Sequence, residues 1–543
     1  MTAFILFLAL LSAQSHASES REATPTGRIA GVVVDAVTNG PVPHAEVSVF
    51  AESGETKVIA GSDGRFQFDS LKPAKYQLSA EAHGYIRESY NQHGAYATSI
   101  AVGTGLDSEH LRFRLHPQAV IHGRVTDERG DPIRSAQVQL FGFANFATKV
   151  HPSIQAQAQT NDLGEYRLAR LSAGKYRVAV QTRPWYSQPG LNYQPEPPVQ
   201  FRAGFGGFSP KPDTLLDVVY PVTFFPGVTN PNAAADIDLA AGSSEEVNIS
   251  LLAVPAVHVR LTNLPPGQNA VSIGASQSFW NFQAGLPIVV GQISPGEYEV
   301  GGLPPGATTF QINRNGEEQQ VPRTIDADVS SSATLDASET SSANLSGRII
   351  LGQTITGVEP AQFTLLSDDS RSVSTAVQKD GTFSIAGLQI GTYKILVNSP
   401  YDGQFVQRVA ASGAKVFGRE ITIDRSSDVQ LIVTMGAGFA QITGVAKQDG
   451  HAVDGIMVLA VPASSENLED DSRMDQSDSD GTFTLGNLIP GKYMLVAIRD
   501  GWDLDWHDPR IRKPYLEKAQ TLQLAPAESK SVTVDVQPAH KFN

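Results

Sequence analysis

One sixteen-residue pattern occurs five times along the chain, and it restricts the fold more than any other feature of the sequence. Its clearest copy is DGTFTLGNLIPGKYML at residues 480–495. Counted from the first glycine of each copy, an aromatic residue stands at +2, an apolar residue at +4, a leucine at +7, a small residue at +10 and an apolar residue at +14. Four copies also have a tyrosine at +12, whereas the third has Thr308 there. The first glycines are Gly64, Gly164, Gly296, Gly381 and Gly481.

Alternation of apolar and polar residues on both sides of the Leu-x-Pro-Gly break predicts two β-strands joined by a turn, as in a β-hairpin. Side chains of a strand alternate between its two faces, so the residues at +2, +4, +12 and +14 are expected to face the core. Successive copies lie 100, 132, 85 and 100 residues apart. This spacing predicts one small β-domain per copy rather than a solenoid, whose repeats are about 20–50 residues long.

The segments that precede the first two copies are alike. Residues 27–35 and 122–127 both predict a first strand, and each is followed by a turn and a Pro-x-x-x-Ala-x-Val segment that predicts a second strand. Together with the repeated pattern, these segments resemble the carboxypeptidase regulatory-like domain. The resemblance also reaches the fourth and fifth copies, and in the third it is limited to the repeated pattern. Residues 220–227 are similar to a segment common in acidobacterial members of this family.

The resemblance implies a transthyretin-like β-sandwich, which is grouped with carbohydrate-binding-like folds. We therefore expect an all-β chain, a tandem array of small transthyretin/immunoglobulin-like Greek-key β-sandwich domains. Residues 330–343 are expected to form a linker, or to contain a weak last strand around residues 333–335. The predicted segments are a signal peptide at 1–17, a leader at 18–26, and sandwich domains at 27–116, 117–255, 256–342, 343–438 and 439–538. The second domain contains an aromatic and Pro-rich insertion at 183–235.

Charge and cysteine content exclude several classes of function. The net charge is −15 and no basic stripe is present, which argues against binding to nucleic acid or to an anionic membrane surface. The chain has no cysteine, so it has neither disulfides nor cysteine metal ligands.

The N-terminus predicts export. Residues 4–11 form an apolar run, and Ser15-His16-Ala17 resembles a cleavage site, after which no further membrane span is expected. The alternative is an uncleaved anchor, although the run is shorter than the ~20 residues that a spanning helix needs. Export without disulfides fits a bacterial periplasm or cell surface.

Loop aromatics are the first candidate site, because flat rings stack on sugars or insert into protein partners. The alternative is that these rings cover the ends of domains or the joints between them. The candidate ligand-binding residues are Trp185, Tyr186, Tyr193, Trp280, Trp502 and Trp506.

Carboxylates before the last repeat are the second candidate, since oxygen-rich loops can hold Ca²⁺. Asp475, Asp478 and Asp480 would be the ligands, and the alternative is a solvated loop with a turn-forming aspartate. The sequence contains no zinc-binding His-Glu-x-x-His, no Gly-x-Ser-x-Gly elbow and no phosphate-binding glycine loop, so no cofactor is expected. The peptidase domain after which the family is named, with its zinc ligands, is also absent.

The sequence therefore predicts a non-catalytic exported protein that binds or scaffolds at the bacterial cell envelope, with a carbohydrate or an envelope protein as partner. One alternative is a mechanical spacer without a small ligand, which would be elongated in solution. Another is an enzyme with an unrecognised site in the 183–235 insertion, which a buried cluster of converging carboxylates or histidines would favour.

Overall fold

A computed structural model gives the fold of the chain. The described residues are 27–52, 54–144, 151–187, 215–264, 271–280, 282–314, 323–338, 342–350, 361–367, 371–399, 402–464, 468–506 and 508–540. Nearly all regular structure in them is β, and the strands form a series of two-layered sandwiches. The predicted all-β tandem sandwich fold is confirmed. The predicted signal peptide at 1–17 and the predicted leader at 18–26 lie outside the described residues.

Sandwiches 1 and 2 are named here by their strands. Sandwich 1 contains β1 Gly27–Asp35, β2 Glu46–Ala51, β3 Gly54–Ile59, β4 Arg65–Leu71, β5 Ala74–Glu81, β6 Glu88–Ser89, β7 Ile100–Val102 and β8 Leu111–Leu115. Sandwich 2 contains β9 Ala119–Thr126, β10 Gln137–Ala144, β11 His151–Gln159, β12 Glu165–Leu171, β13 Gly174–Gln181, β14 Val218–Val219, β15 Thr223–Phe224, the 3₁₀ turn Pro231–Ala233, β16 Ile237–Leu239, β17 Ser244–Glu246, β18 Ile249–Ser250 and β19 Val254–Pro255.

Sandwiches 3 to 5 follow along the chain. Sandwich 3 contains β20 Val257–Thr262, β21 Val271–Phe279, β22 Phe282–Gly285, β23 Val289–Ser294, β24 Glu297–Leu303, β25 Gly306–Arg314, β26 Arg323–Val329 and β27 Ala333–Asp336. Sandwich 4 contains β28 Ser342–Ile350, β29 Gln362–Ser367, β30 Ser372–Ala376, β31 Thr382–Gln389, β32 Gly391–Asn398, β33 Gln404–Ser412, β34 Lys415–Phe417, β35 Glu420–Ile423 and β36 Val429–Ala437. Sandwich 5 contains β37 Ala440–Gln448, β38 His451–Ala452, β39 Met457–Pro462, α1 Leu468–Asp471, β40 Arg473–Gln476, β41 Thr482–Leu488, β42 Gly491–Arg499, α2 Pro509–Leu516, β43 Gln520–Leu524 and β44 Ser529–Pro538.

The five sandwiches share one topology. The first strand of each pairs antiparallel with the first strand of the repeat and parallel with a strand near the end of the sandwich, as β1 does with β4 and β8. The second strand of the repeat joins the opposite sheet, as β5 does by pairing with β2. A hydrophobic cluster fills each sandwich. Residues 333–335 belong to β27, which is therefore a strand and not a linker.

The expectation of a hairpin is wrong, because the two strands of the repeat do not pair with each other. In sandwiches 1 to 4 they lie in different sheets, and the Leu-x-Pro-Gly segment crosses from one sheet to the other. In sandwich 5, β44 pairs with both β37 and β42, so the two layers join in one eight-stranded sheet, in which β41 and β42 are again not neighbours. Alternation identified the buried faces correctly, but it carries no information about which strands pair. The repeat thus ties the two layers of each sandwich together around the core that both of its strands face.

A β-bulge explains why the leucine stands at the odd offset of +7. The residue at +6 has a positive φ in every copy: Ser70, Arg170, Gly302, Gly387 and Asn487. The strand register shifts at the same place in all five sandwiches. One extra residue reverses the alternation, so the +7 leucine points inward like the residues at +2 and +4.

The tyrosine at +12 closes the crossing between the sheets. Its ring is buried in all four copies that have it, and its hydroxyl donates to the carbonyl oxygen four residues earlier at 2.9–3.0 Å. Burial raises the pKa of Tyr493 to about 12. The hydroxyl therefore stays protonated and serves as a fixed donor to the crossing segment.

We expect Tyr493→Phe to destabilise sandwich 5 by about 1 kcal/mol, because it removes the donor to the Ile489 carbonyl and keeps the buried ring. Hydrogen exchange of the full chain measures this as faster exchange in β41 and β42. Tyr393→Phe, the same substitution in sandwich 4, should accelerate exchange in β31 and β32 and leave sandwich 5 unchanged. Unchanged exchange in both variants would mean that the hydroxyl does not hold the crossing.

Candidate functional site

Trp185 is the most exposed large apolar side chain among the described residues, with 85% of its surface accessible. It lies in the turn that follows β13 of sandwich 2. Tyr186 stands edge-on to it, with ring centroids 5.7 Å apart and planes at 89°. The face of the Trp185 indole is therefore open to solvent, while the Tyr186 ring packs against it edge to face.

Glu128 joins this patch, which we call the Trp185 patch and define as Glu128, Trp185, Tyr186 and Tyr220. The Tyr186 hydroxyl donates to Glu128 Oε1 at 2.8 Å and the Tyr220 hydroxyl approaches Oε2 at 3.4 Å. Burial, followed by the Glu128 charge, raises the pKa of both tyrosines, so both hydroxyls remain donors. A carboxylate offers about four lone-pair positions, so Glu128 keeps acceptor capacity for a ligand.

Trp280 has a different environment. It packs edge-on or tilted against Phe141, Phe224 and Phe279, at centroid distances of 4.9–5.5 Å, in an apolar cluster between sandwiches 2 and 3. The Arg177 guanidinium lies 5.3 Å from its ring centroid. This ring covers a joint between two sandwiches and is not presented to a ligand.

Trp502 and Trp506 are covered as well. Trp502 stacks on His93 of sandwich 1, with centroids 4.8 Å apart and planes at 6°, and Tyr96 lies against it at 5.7 Å. Trp506 is buried beside Tyr515 of α2. Tyr193 lies outside the described residues. Trp502 and Trp506 share one apolar cluster of sandwich 5. Among the predicted aromatic site residues that the structure describes, Trp185 and Tyr186 therefore form the one pair with an exposed ring.

The three carboxylates proposed for Ca²⁺ each have protein partners. Asp475 accepts a hydrogen bond from the Thr484 amide at 2.7 Å, and burial raises its pKa. Asp478 contacts Lys75, and Asp480 caps its own turn through Thr482. Within the described ranges, no three His, Asp or Glu side chains are placed to hold a metal ion.

A buried ionic cluster, missed in the sequence, lies between sandwiches 2 and 3. His258 Nε2 is 2.6 Å from Asp217 Oδ2 and His258 Nδ1 is 3.0 Å from Glu299 Oε1. All three side chains are at most 14% exposed. Both ring nitrogens face carboxylates, so the histidine has no nitrogen left for a substrate proton. The contacts of this cluster hold sandwiches 2 and 3 together, and they do not fit the role of a general acid or base.

A cleft of about 970 Å³ lies over the outer face of β9, β12 and β17 in sandwich 2. Its lining is polar and self-paired: Arg124 lies 3.6 Å from Glu165, and the Arg124 amide donates to Asn248. The Tyr166 ring in the lining is buried and donates its hydroxyl to the Val247 carbonyl. This cleft therefore presents no flat ring of the kind that Trp185 offers.

Sequence reasoning missed Glu128 because it lies 57 residues before Trp185, in the turn after β9. The Asp127–Asp131 turn places it: Asp127 is buried and accepts from the amides of Arg129 and Asp131. The sequence pattern Asp-x-x-Gly-Asp predicts a turn of this kind, in which the first aspartate accepts hydrogen bonds from amides of the turn. Which way the intervening Glu128 points could be learned only from the fold.

Comparison with known proteins gives a family for part of the chain. The model of the carboxypeptidase regulatory-like domain matches residues 28–115 and 120–202. No curated protein matches the chain.

Several solved structures match the chain at low similarity. The minor pilin GBS52 of Streptococcus agalactiae is 12% identical, with 37% of this chain and 98% of that chain covered and a TM-score of 0.21. The full-length major pilin RrgB of Streptococcus pneumoniae is 8% identical, with 94% and 100% covered and a TM-score of 0.18. The Bacillus anthracis TIE protein is 10% identical, with 77% and 74% covered and a TM-score of 0.15. Likenesses this low say nothing about activity. The family match is thus limited to two copies of the carboxypeptidase regulatory-like domain, one in sandwich 1 and one in sandwich 2.

Proposed function

We propose that the chain is an exported, non-catalytic binding protein of the bacterial cell envelope, and that it binds a carbohydrate through the Trp185 patch. The observation that carries this proposal is the 85% exposed indole of Trp185. Exposing an indole to water is unfavourable, and exposed aromatic surface is typical of interaction sites. The apolar run at residues 4–11 and the cleavage-site-like Ser15-His16-Ala17 support export to the periplasm or cell surface.

The chemistry of the patch favours a sugar over a purely apolar ligand. A flat ring stacks on the C–H face of a pyranose, while Glu128, which is hydrogen-bonded to the neighbouring Tyr186, can accept hydrogen bonds from sugar hydroxyl groups. The carboxylate and the net charge of −15 disfavour acidic sugars, so a neutral or amino-substituted sugar is the expected class.

The domain organisation is part of this proposal. We propose five independently folding domains with the bounds 27–116, 117–255, 256–342, 343–438 and 439–538. Five hydrophobic clusters, each drawn from one of these ranges, support that division.

A glycan array tests the ligand. We expect the wild-type chain to bind neutral or amino sugars, and Trp185→Ala to weaken binding about tenfold or more, because truncation of an aromatic hot spot costs about 2 kcal/mol or more. Phe417→Ala is the matched control, since Phe417 is an exposed aromatic residue of sandwich 4. No binding by the wild type, or equal loss in both variants, would end the carbohydrate proposal.

A further inference from the structure

Sandwiches 1 and 5 contact each other although they lie at opposite ends of the described chain. The contacts on sandwich 1 come from β5, β7 and the loop at residues 90–99. Those on sandwich 5 come from the end of β40 and the turn before β41. The residues that hydrogen-bond across this contact are separated by 378 to 407 positions in sequence.

The centre of this contact is polar and fully buried. Gln476 and Thr98 are each 1% exposed. The Gln476 side-chain amide donates to the Asn91 carbonyl at 2.7 Å and to Thr98 Oγ1 at 2.8 Å, and its oxygen lies 3.0 Å from His93 Nδ1. All of these partners belong to sandwich 1, so the amide of sandwich 5 is satisfied across the contact.

Main-chain hydrogen bonds continue the contact along one edge. The Ser479 amide donates to the Ser99 carbonyl at 2.9 Å, and the Ser99 amide donates to Asp478 Oδ1 at the same distance. The Ala101 amide donates to Ser479 Oγ at 2.8 Å. These bonds satisfy main-chain groups of Ser99 and Ala101 at the start of the edge strand β7, which would otherwise be open to another chain.

Charge and stacking complete the fit. Lys75 Nζ lies 2.5 Å from Asp478 Oδ2, whose side chain is only 15% exposed. Trp502 supplies the apolar part by stacking on His93 and lying against Tyr96. Opposite charges, matched donors and acceptors, and a stacked indole together specify this partner surface over others.

Each pair of consecutive sandwiches is also joined. His116 and Gln118 bond to the 84–88 segment between sandwiches 1 and 2, and the Trp280 cluster lies between sandwiches 2 and 3. The remaining joints are Arg371 with Thr324 between sandwiches 3 and 4, and Arg419 with Asp471 between sandwiches 4 and 5. The contact between sandwiches 5 and 1 turns this series into a closed cycle.

We propose that sandwich 5 is the docking partner of sandwich 1 within the same molecule, so that the chain works as a closed ring and not as an extended string. The joint is mostly polar, and both of its faces can be solvated by water when apart. The covalent chain holds the two faces at a high effective concentration, which favours closure within one molecule over pairing between molecules.

Cross-linking tests closure directly, because the chain has no native cysteine. Lys75→Cys with Thr482→Cys places two thiols at positions whose side chains meet across the joint. A short bis-maleimide should join them within one monomer in high yield, independent of protein concentration. Cross-links that appear only between molecules would instead assign the surface to a second copy, and absence of any cross-link would mean that the joint is open. Either result overturns the proposal.

Solution scattering gives the second readout. Domains of about 100 residues have radii of gyration near 13 Å, so five of them give roughly 50 Å in a line and about 30 Å when closed. We expect the wild type near the smaller value and Asp478→Lys, which opposes Lys75, well above it. Gln378→Lys is the matched control, since Gln378 is exposed at the equivalent turn position of sandwich 4. A wild type near the larger value would overturn closure, as would an Asp478→Lys variant that stays as compact as the wild type.

Discussion

Replacing Phe483 by Ala should lower the free energy of unfolding of sandwich 5 by about 3–5 kcal/mol. Phe483 is 2% exposed and occupies the +2 position of the last repeat. Its ring lies over Gly444 of β37, where an added Cβ would come within 2.6 Å of the ring. The bare glycine and the large ring therefore form one complementary pair, and removal of the ring leaves a cavity that the backbone cannot close.

Hydrogen exchange of the full chain measures this loss one sandwich at a time. We expect amides of β37, β41 and β42 to exchange much faster, with sandwiches 2 and 3 unchanged. Phe383→Ala is the matched control, because Phe383 stands at +2 in sandwich 4 and packs against Gly347 in the same way. Its effect should stay in sandwich 4. Equal loss of protection in all sandwiches would contradict separate cores.

Replacing His258 by Ala should destabilise sandwich 3 and its joint with sandwich 2 by about 3–5 kcal/mol. The substitution removes the only side chain known to pair with Asp217, whose Oδ1 is buried and already lacks a partner among the described residues. It also leaves Glu299 buried without the histidine. Two buried carboxylates would then lose the ring nitrogens that they contact, which is far more costly than loss of an exposed ion pair.

Two further variants separate this effect from simple loss of packing. His110→Ala removes an exposed histidine that is paired with Asp107, and it should leave the unfolding transition almost unchanged. Adding Asp217→Asn and Glu299→Gln to His258→Ala should recover part of the lost stability, because neutral amides then replace the two buried carboxylates. Thermal unfolding and exchange in β20 and β24 report both outcomes. If the triple variant is less stable than His258→Ala, buried charge is not the cause.

The repeat predicted the fold because its alternation is local and strong, but it could not predict the pairing of its strands. Phe66 and Tyr76, for example, face the same core from opposite sheets, and their alternation is the same as in a hairpin. The bulge at Asn487 was not predicted. Its trace in the sequence is the odd spacing of three residues between Leu485 and Leu488, which both face the core although a regular strand would turn them to opposite faces. The alternation of apolar and polar residues determines which side chains are buried, whereas the pairing of strands depends on where the chain crosses from one layer to the other.

The candidate site was harder to predict, because the environment of a ring depends on contacts distant in sequence. Trp185 and Trp280 both lie in aromatic segments bounded by turns, yet one is exposed and the other is packed between sandwiches. Trp502 is covered by His93, more than four hundred residues earlier. His258 meets Asp217 and Glu299 across 41 residues on each side. None of these contacts has a local sequence signal.

Radical footprinting of the four tryptophans tests the central claim, that the chain acts through an open indole at the Trp185 patch. In the free protein, Trp185 should be oxidised much faster than Trp280, Trp502 and Trp506, and addition of envelope polysaccharide should slow the oxidation of Trp185 alone. A Trp185 that is already protected in the free protein, or that stays equally reactive when polysaccharide is added, would contradict the account.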